Sequence, residues 1–479
     1  MDGEVRVNPY LGGNFAPVRS EDDFELTVEG ALPPGLSGVL YRNGPNPQFE
    51  PRDGNYHWFV GDGMIHAFTV GDGKVAYRNR WVRTPKWEAE HAAGHALFGS
   101  WGNPMTTDPS VLGTVDSAVA NTNIVHHAGR LMALVESSAP FELAEHELGP
   151  HGFVDFGGKV TAHPKTDPLT GEMVFFAYAD DPMPLSNKVS WGVVDAGGKL
   201  VKRETFEAPY CAMIHDFMVT ENHVLIPVLP LSGSLPRAMS GGPIFAWEPE
   251  LPAVVAVMRR DEGVAGLRWL KAPAGYVFHV MNAYEDGEAI VADVMRYASA
   301  PLFPRADGSR GDNAAAYLVR WTFDLIAETV TETPLDELAG EFPRFDERHA
   351  GLPYRHGWFA GQTHKPGDVR TDSIAHIDLL TGVRTTWVLP VGDAISEPVF
   401  TPALADAPEG VGWLTAVVYR GQEGVSDFVV LDAQDVAAGP IATARLPRRV
   451  PFGFHGIGWE LSSRPIPPHH RYSSDLFRG

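Results

Sequence analysis

The stretch Tyr276-Val277-Phe278-His279-Val280, followed shortly by Glu285-Asp286-Gly287-Glu288, shows the pattern that decides the fold. A short run of β-branched and aromatic residues is typical of a strand, and Asp-Gly supplies the positive φ that a tight hairpin turn requires. Similar runs occur at 38–41, 132–135, 173–178, 223–228, 317–321, 413–418 and 428–431, and similar turns at 71–74, 169–172, 196–199 and 380–382. Many short strands with regular turns predict an all-β sandwich, barrel or propeller.

Length favours the propeller among these three. The chain has 479 residues, and no low-complexity linker divides it, so we expect one domain over 1–479. Within it we expect residues 1–30 to be an N-terminal extension packed on the propeller and 460–479 to be a C-terminal tail. Helical signal is weak, and the best candidate runs from Pro85 to Leu97, interrupted by Gly94.

Composition excludes several classes of function. Lys and Arg number 38 and Asp and Glu 60, so the net charge is −22. Such a surface repels nucleic acid and anionic lipid headgroups, and we expect no nucleic-acid partner. The single cysteine, Cys211, excludes a disulfide framework and a cysteine-ligated zinc or iron–sulfur site.

Nothing in the sequence predicts a membrane span. The start lacks a basic segment followed by an apolar one, so we expect no signal peptide and a cytoplasmic location. The densest apolar run, 253–258, is far shorter than the roughly 20 residues that cross a bilayer. We expect at most a shallow apolar contact with a membrane surface, through the segment 230–257. Its large apolar residues are Leu231, Leu235, Met239, Ile244, Phe245 and Trp247.

Four histidines lie in apolar or glycine-rich surroundings: His163, His215, His279 and His455. Their separations of 52, 64 and 176 residues approximate one, one and three repeats of about 60 residues. A repeat of that size would place each histidine at an equivalent strand position facing the propeller axis. Four converging imidazoles suit Fe, Cu, Zn or Ni. Taken singly, each residue could equally be a hydrogen-bonded core histidine.

The chain resembles the carotenoid cleavage oxygenase family, which also contains lignostilbene- and isoeugenol-cleaving enzymes. The resemblance runs from Asn8 to Trp459 and rests on motifs at 40–47, 61–66, 120–123, 162–165, 214–217, 278–284, 341–344, 396–398 and 453–456. It implies a seven-bladed β-propeller with a dome of loops and short helices over its top face. It also implies one Fe(II) per chain, bound by His163, His215, His279 and His455.

The resemblance implies further roles around the metal. Glu136, Glu341 and Glu397 match glutamates that accept hydrogen bonds from the ligands' second ring nitrogens, and Thr122 matches a residue beside the open iron site. Such acceptors fix the tautomer and orientation of an imidazole ligand. Four further residues are expected to line the substrate tunnel: Phe59, Trp101, Val135 and Phe278.

The implied reaction uses O2 to cleave a C=C double bond of a conjugated alkene into two carbonyl products. Stilbene- and isoeugenol-cleaving relatives carry a lysine where this chain has Val135, and some carry a tyrosine where it has Trp101. A phenol buried there without a partner would lose about 1–3 kcal/mol, which favours an apocarotenoid-like polyene. The alternatives are a stilbenoid or phenylpropenoid substrate, the family's isomerohydrolase activity, or a non-catalytic scaffold. We expect a monomer or a weak homo-oligomer.

Overall fold

The computed structural model describes residues 8–52, 54, 56–99 and 104–458, and most of them lie in β-strands. The strands are β1 Asp23–Gly30, β2 Gly38–Pro45, β3 Gly63–Gly71, β4 Lys74–Trp81, β5 Asn123–His127, β6 Arg130–Leu134, β7 Phe141–Leu143, β8 Pro150–Phe153, β9 Lys165–Thr166, β10 Met173–Tyr178, β11 Lys188–Val194, β12 Leu200–Glu207, β13 Met218–Val219, β14 His223–Val228, β15 Leu231–Gly233, β16 Phe245–Trp247, β17 Val254–Arg259, β18 Arg268–Lys271, β19 Tyr276–Asp286, β20 Ala289–Tyr297, β21 Ala316–Asp324, β22 Thr329–Pro334, β23 Gly340–Phe345, β24 His356–Gly361, β25 Ser373–Asp378, β26 Val383–Val388, β27 Ala394–Ile395, β28 Val399–Pro402, β29 Gly412–Arg420, β30 Val425–Asp432, β31 Pro440–Arg445 and β32 Gly456–Ile457.

Helices are few and short in the part of the chain that the structure describes. The two α-helices are α1 Pro85–Ala93 and α2 Leu235–Met239. Short 3-10 helices cover Pro9–Leu11, Gly13–Phe15, Trp58–Val60, Pro104–Thr106, Gly263–Gly266, Glu347–His349 and Val436–Ala438. None of the helices in these ranges is long and apolar enough to cross a membrane.

The strands form antiparallel sheets of neighbours in sequence, in a propeller-like arrangement. Five sheets have four strands each: β5 to β8, β9 to β12, β19 to β22, β23 to β26, and the set β13, β14, β17, β18. The innermost strands touch in succession, β13 against β19, β19 against β23, and β23 against β28. Fully buried tryptophans on middle strands, Trp191, Trp321 and Trp358, fill the space around these sheets. The prediction of an all-β, propeller-like fold is confirmed.

A larger sheet joins the two ends of the chain. Its ten strands run in the order β27, β29, β30, β31, β1, β4, β3, β2, β32, with β28 also paired to β29. Strand β1 makes the join, because Asp23 to Leu26 pair with β4 while Thr27 to Gly30 pair with β31. The residues just before the described C-terminal end therefore lie beside strands from the beginning of the chain.

Helix α1 shows how local sequence sets an element's limits. Thr84 caps its start by accepting a hydrogen bond from the Trp87 amide, and Pro85 takes the first helical position. Gly94 ends the helix in the left-handed conformation, with φ of 74°. The predicted helix is therefore present, but it stops at Ala93 instead of continuing to Leu97.

The segment 230–257 is largely part of the folded core. Strands β15 and β16 pair with each other across a hairpin that contains α2. Leu231, Phe245 and Trp247 are buried, whereas Met239 is 80% exposed. Only part of the predicted apolar surface is therefore available at the exterior.

Candidate metal centre

The four predicted histidines come together at the inner ends of the sheets. His279 lies within β19, whereas His163, His215 and His455 lie in loops just before the short inner strands β9, β13 and β32. The expectation that all four occupy one equivalent strand position is therefore met only approximately. The number of residues in each sheet determines the separation of the histidines in the sequence. Loops of different length then bring their side chains to the cluster.

The ring nitrogens of these four histidines converge. The Nε2 atoms of His163 and His215 are 3.0 Å apart, those of His215 and His279 3.2 Å, and those of His279 and His455 3.0 Å. One potential ligand nitrogen from each residue lies within 4.8 Å of the others. His163, His279 and His455 are buried and His215 is nearly so.

Three glutamates occupy the outer side of three of these rings. Nδ1 of His279 donates to Oε2 of Glu341 at 2.5 Å, and Nδ1 of His455 donates to Oε1 of Glu397 at 3.0 Å. Nδ1 of His215 lies against the Glu136 carboxylate. The structure thus places each predicted glutamate at its own histidine.

This donor set fits a metal ion. A neutral imidazole carries one N–H. Glu341 and Glu397 accept it from Nδ1 of His279 and His455, and Glu136 lies against Nδ1 of His215, so the Nε2 atoms of these three rings are the ones free to bind a metal. Lone pairs at about 3 Å repel unless a cation lies between them. Imidazole suits Fe, Cu, Zn or Ni. The four-histidine group is therefore suited by its chemistry to hold a metal ion of this class.

Burial and neighbouring charges set the protonation of the site. Burial lowers the pKa of His163 well below its usual value, and the nearby His455 and His215 lower it further. Burial raises the pKa of Glu397, but Arg344 and His455 outweigh that effect and lower it to about 2. Burial lowers the pKa of His279, but Glu341 outweighs that effect and raises it. His163 is therefore neutral, and the Glu397 acceptor is ionised, at neutral pH.

A bulge in β19 aims His279 at the cluster. The pairing with β20 shifts between Val277 and Val280 and again between Val280 and Asn282. Such β-bulges change the direction in which a side chain leaves the strand. His279 lies inside the first of them.

Two buried polar residues tie the ligand-bearing segments together. Asp216 is 2% exposed, and it pairs with Lys165 at 2.8 Å and accepts from the Val280 amide at 2.9 Å. It therefore joins the segments of His163, His215 and His279.

Asn43 does the same for the remaining segment. Its amide N–H donates to the His455 carbonyl at 2.8 Å, and its side chain donates to the carbonyls of Ala120 and Asn123. Asn123 in turn donates to the Ala162 carbonyl at 2.7 Å, next to His163. Asp216 and Asn43 both belong to sequence motifs of the family, but their hydrogen bonds between the ligand-bearing segments were not predicted.

The other predicted residues lie at different distances from the cluster. Thr122 is buried beside it, and its carbonyl accepts from the His455 amide at 3.2 Å. Phe278 packs edge-on against the His215 ring, with centroids 5.1 Å apart. The ring of Phe59 packs against that of Phe454, the residue before His455, with centroids 5.7 Å apart.

Val135 and Trp101 are the other two predicted tunnel residues. Val135 is half-buried and directly precedes Glu136 at the end of β6. Trp101 lies outside the described residues.

Three neighbours of the site were not predicted from the sequence. The Tyr178 hydroxyl donates to Glu136 at 2.7 Å, Arg344 contacts Glu397, and the Phe342 ring stacks on His279 with centroids 5.5 Å apart. Arg344 and Phe342 belong to the motif 341–344, so their proximity to Glu341 was the available signal. Tyr178 ends an ordinary-looking strand and gave no signal.

The structure defines a propeller-like, all-β protein with a buried four-histidine group that fits a metal ion, and comparison with known proteins gives its family. The family model for the retinal pigment epithelial membrane protein matches residues 15–457. The chain is 38% identical to isoeugenol monooxygenase from Pseudomonas nitroreducens, over 94% of this chain and 98% of that protein. It is 33% identical to the carotenoid cleavage oxygenase of Mycobacterium tuberculosis, over 94% and 97%.

A solved structure agrees. The crystal structure of Pseudomonas brassicacearum lignostilbene dioxygenase superimposes with a TM-score of 0.89 at 34% identity, covering 94% of this chain and 98% of that one. The chain therefore belongs to the family predicted from its motifs, that of the carotenoid cleavage oxygenases. The prediction of an alkene-cleaving oxygenase is confirmed.

Proposed function

We propose that the four histidines bind one Fe(II) per chain and that the protein is an iron-dependent dioxygenase. The observation that carries this proposal is the convergence of four Nε2 atoms, three of them on rings backed by glutamate. An Fe(II) ion bound there would supply the activation of O2.

The protein's own residues would orient the metal ligands and keep water away from the metal. Glu136, Glu341 and Glu397 hold the Nδ1 protons and so fix the orientation of three ligands. The rings of Phe278 and Phe342 pack against His215 and His279 and would keep water away from a metal bound there. Holding one double bond of a substrate at a fixed place beside the metal would convert a bimolecular encounter into a directed reaction.

The substrate we propose is an apolar conjugated alkene, cleaved by O2 into two carbonyl fragments. Val135 supports an end group without a free 4-hydroxyl, because a phenol would be buried there without the amine found in phenol-cleaving relatives. An apocarotenoid-like polyene meets this condition and gains about 25 cal/mol per Å2 of apolar surface buried.

A second candidate is a stilbenoid or phenylpropenoid alkene. It is favoured by overall similarity, since the identity to isoeugenol monooxygenase is 38% against 33% for the carotenoid enzyme. The two candidates differ in the substrate end group that would lie against Val135, so one substitution separates them.

The test compares kcat/KM for an apocarotenal and a 4-hydroxystilbene, in the unchanged protein and in Val135→Lys. We expect the unchanged protein to prefer the polyene and the variant to shift toward the phenol. Mass spectrometry of the carbonyl products reports which bond is cleaved. Efficient cleavage of the stilbene by the unchanged protein, with no cleavage of any polyene, would select the second candidate. Cleavage of neither in the presence of iron would overturn the proposed function.

We also propose that the propeller has seven blades. Five four-stranded sheets account for five of them. The ten-stranded sheet divides naturally at β1 into two further units, because β1 changes partner from β4 to β31 at its middle. The connecting segments that carry α1 and α2 would form the dome over the top face.

We retain a shallow membrane contact, a cytoplasmic location and a monomeric or weakly oligomeric state as proposals. Support for the contact comes from Met239, which is 80% exposed on α2 beside half-buried Leu235 and Ile244. The net charge of −22 opposes electrostatic attraction to anionic lipid, so such a contact would be apolar.

A further inference from the structure

Arg344 lies directly behind one of the glutamates of the metal centre. Its Nη1 donates to Oε1 of Glu397 at 3.4 Å and to the Gly456 carbonyl at 3.2 Å, while Nη2 donates to Glu347 at 2.5 Å. Oε1 of Glu397 is the same atom that accepts from His455. One guanidinium thus contacts both the acceptor that orients His455 and the backbone of the next residue.

A bulge allows one strand to serve two histidines. Glu341 of β23 pairs with Ala360 and Arg344 pairs with Trp358, so three steps on β23 match two on β24. Residues three apart on a regular strand point to opposite faces. The extra residue places both Glu341 and Arg344 on the side of the cluster, and Phe342 within the bulge adopts φ of +56°.

The segment of His455 has little other support from sheet pairing. Strand β32 pairs with β2 through two residues only, Gly456 and Ile457. The hydrogen bond from Arg344 to the Gly456 carbonyl therefore helps to hold the backbone next to His455, where strand pairing is short.

Charge also favours a cation at this place. The carboxylates of Glu136, Glu341 and Glu397 lie beside three of the histidines, where a divalent cation would offset them. The Arg344 guanidinium adds a positive charge that it shares between Glu397 and Glu347. Buried charges that are balanced in this way avoid the large cost of an uncompensated ion.

We propose that Arg344 is a positioning residue of the metal centre, acting on His455 through Glu397 and the Gly456 carbonyl. This inference rests on the proposed function, because it assumes that the histidines bind a metal. Glu341 and Arg344 then form a single bulged unit that orients His279 and His455 together. Loss of a partner that orients a metal ligand typically weakens metal binding by about 10–100-fold.

The experiment titrates Co(II) into the metal-free full-length protein and follows the visible absorption, which reports both affinity and ligand geometry. We expect Arg344→Met to bind Co(II) about tenfold more weakly than the unchanged protein, with a shifted spectrum. Arg348→Met is the matched control, since Arg348 lies on the same segment but pairs with Asp346 and with carbonyls of 405 and 407. The control should leave affinity and spectrum unchanged.

Two further variants separate positioning from loss of fold. Arg344→Lys keeps the charge but cannot bridge Glu397 and Gly456 at once, so it should fold and still shift the Co(II) spectrum. In a double-mutant cycle, adding Arg344→Met to Glu397→Gln should cause less additional loss than it causes alone, because both act on His455. Additive losses, or unchanged Co(II) binding in both Arg344 variants, would overturn the proposal. If the unchanged protein binds no Co(II), the proposed function itself fails and takes this inference with it.

Discussion

Glu397→Gln tests the outer side of the metal centre. Both carboxylate oxygens of Glu397 accept hydrogen bonds, Oε1 from His455 Nδ1 and Arg344 and Oε2 from the Gly456 amide at 2.9 Å. A glutamine has the same shape but one acceptor oxygen fewer. Whichever way its amide is turned, the NH2 group meets a donor.

The size of the effect follows from these contacts. A hydrogen bond to a charged group contributes about 1.5–3 kcal/mol, and a buried donor left without a partner costs a similar amount. Since about 1.4 kcal/mol corresponds to a factor of ten, we expect Glu397→Gln to weaken metal binding by about 10–100-fold. The fold should persist, because the glutamine fills the same volume.

The measurement is metal affinity by chelator competition, with kcat/KM determined on the iron-loaded protein. Glu285→Gln is the matched control, because Glu285 accepts from Nδ1 of His223 at 2.8 Å outside the four-histidine cluster. The control should lower stability without changing metal affinity. If Glu397→Gln binds metal as tightly as the unchanged protein, or if both variants lose metal equally, the reasoning about ligand orientation is wrong.

Two other predictions concern stability. Lys86→Met leaves Asp62 and Glu90 buried without their cation. The free energy of unfolding, measured by urea denaturation, should therefore fall by about 3–5 kcal/mol. A loss under about 1 kcal/mol, as for an exposed ion pair, would contradict this. Burial, and then His356, lower the pKa of His376 to about 4, so the folded chain takes up a proton less readily than the unfolded one. The stability that neutral His376 contributes is therefore present above about pH 6.5 and lost as the pH falls toward 4. His376→Gln should remove part of that pH dependence in urea unfolding, and an identical pH profile would refute the assignment.

Much of the fold can be predicted from short stretches of sequence, because most strands pair with the next strand along the chain. Asp-Gly and Gly-Gly turns mark the hairpins, and Gly94 ends α1 where its positive φ is required. The spacing of His163, His215 and His279 follows the size of one sheet with its connections. These features depend on residues close in sequence.

Other features depend on partners distant in sequence. The change of partner within β1 requires β31, more than 400 residues away, and no pattern within 23–30 announces it. The link from Arg344 to His455 spans over 100 residues and depends on the bulge at Phe342. Burial of Leu231 and Trp247, which read as a surface segment, likewise results from packing against other strands. Tertiary contacts decide each of these cases.

Anomalous scattering from crystals of the iron-loaded protein, measured at the iron absorption edge, shows directly whether the four histidines, and no carboxylate, bind a single iron. We expect one anomalous peak per chain, bonded to Nε2 of His163, His215, His279 and His455. A peak bonded to the carboxylate of Glu136, Glu341 or Glu397, or no iron at this cluster, would contradict it.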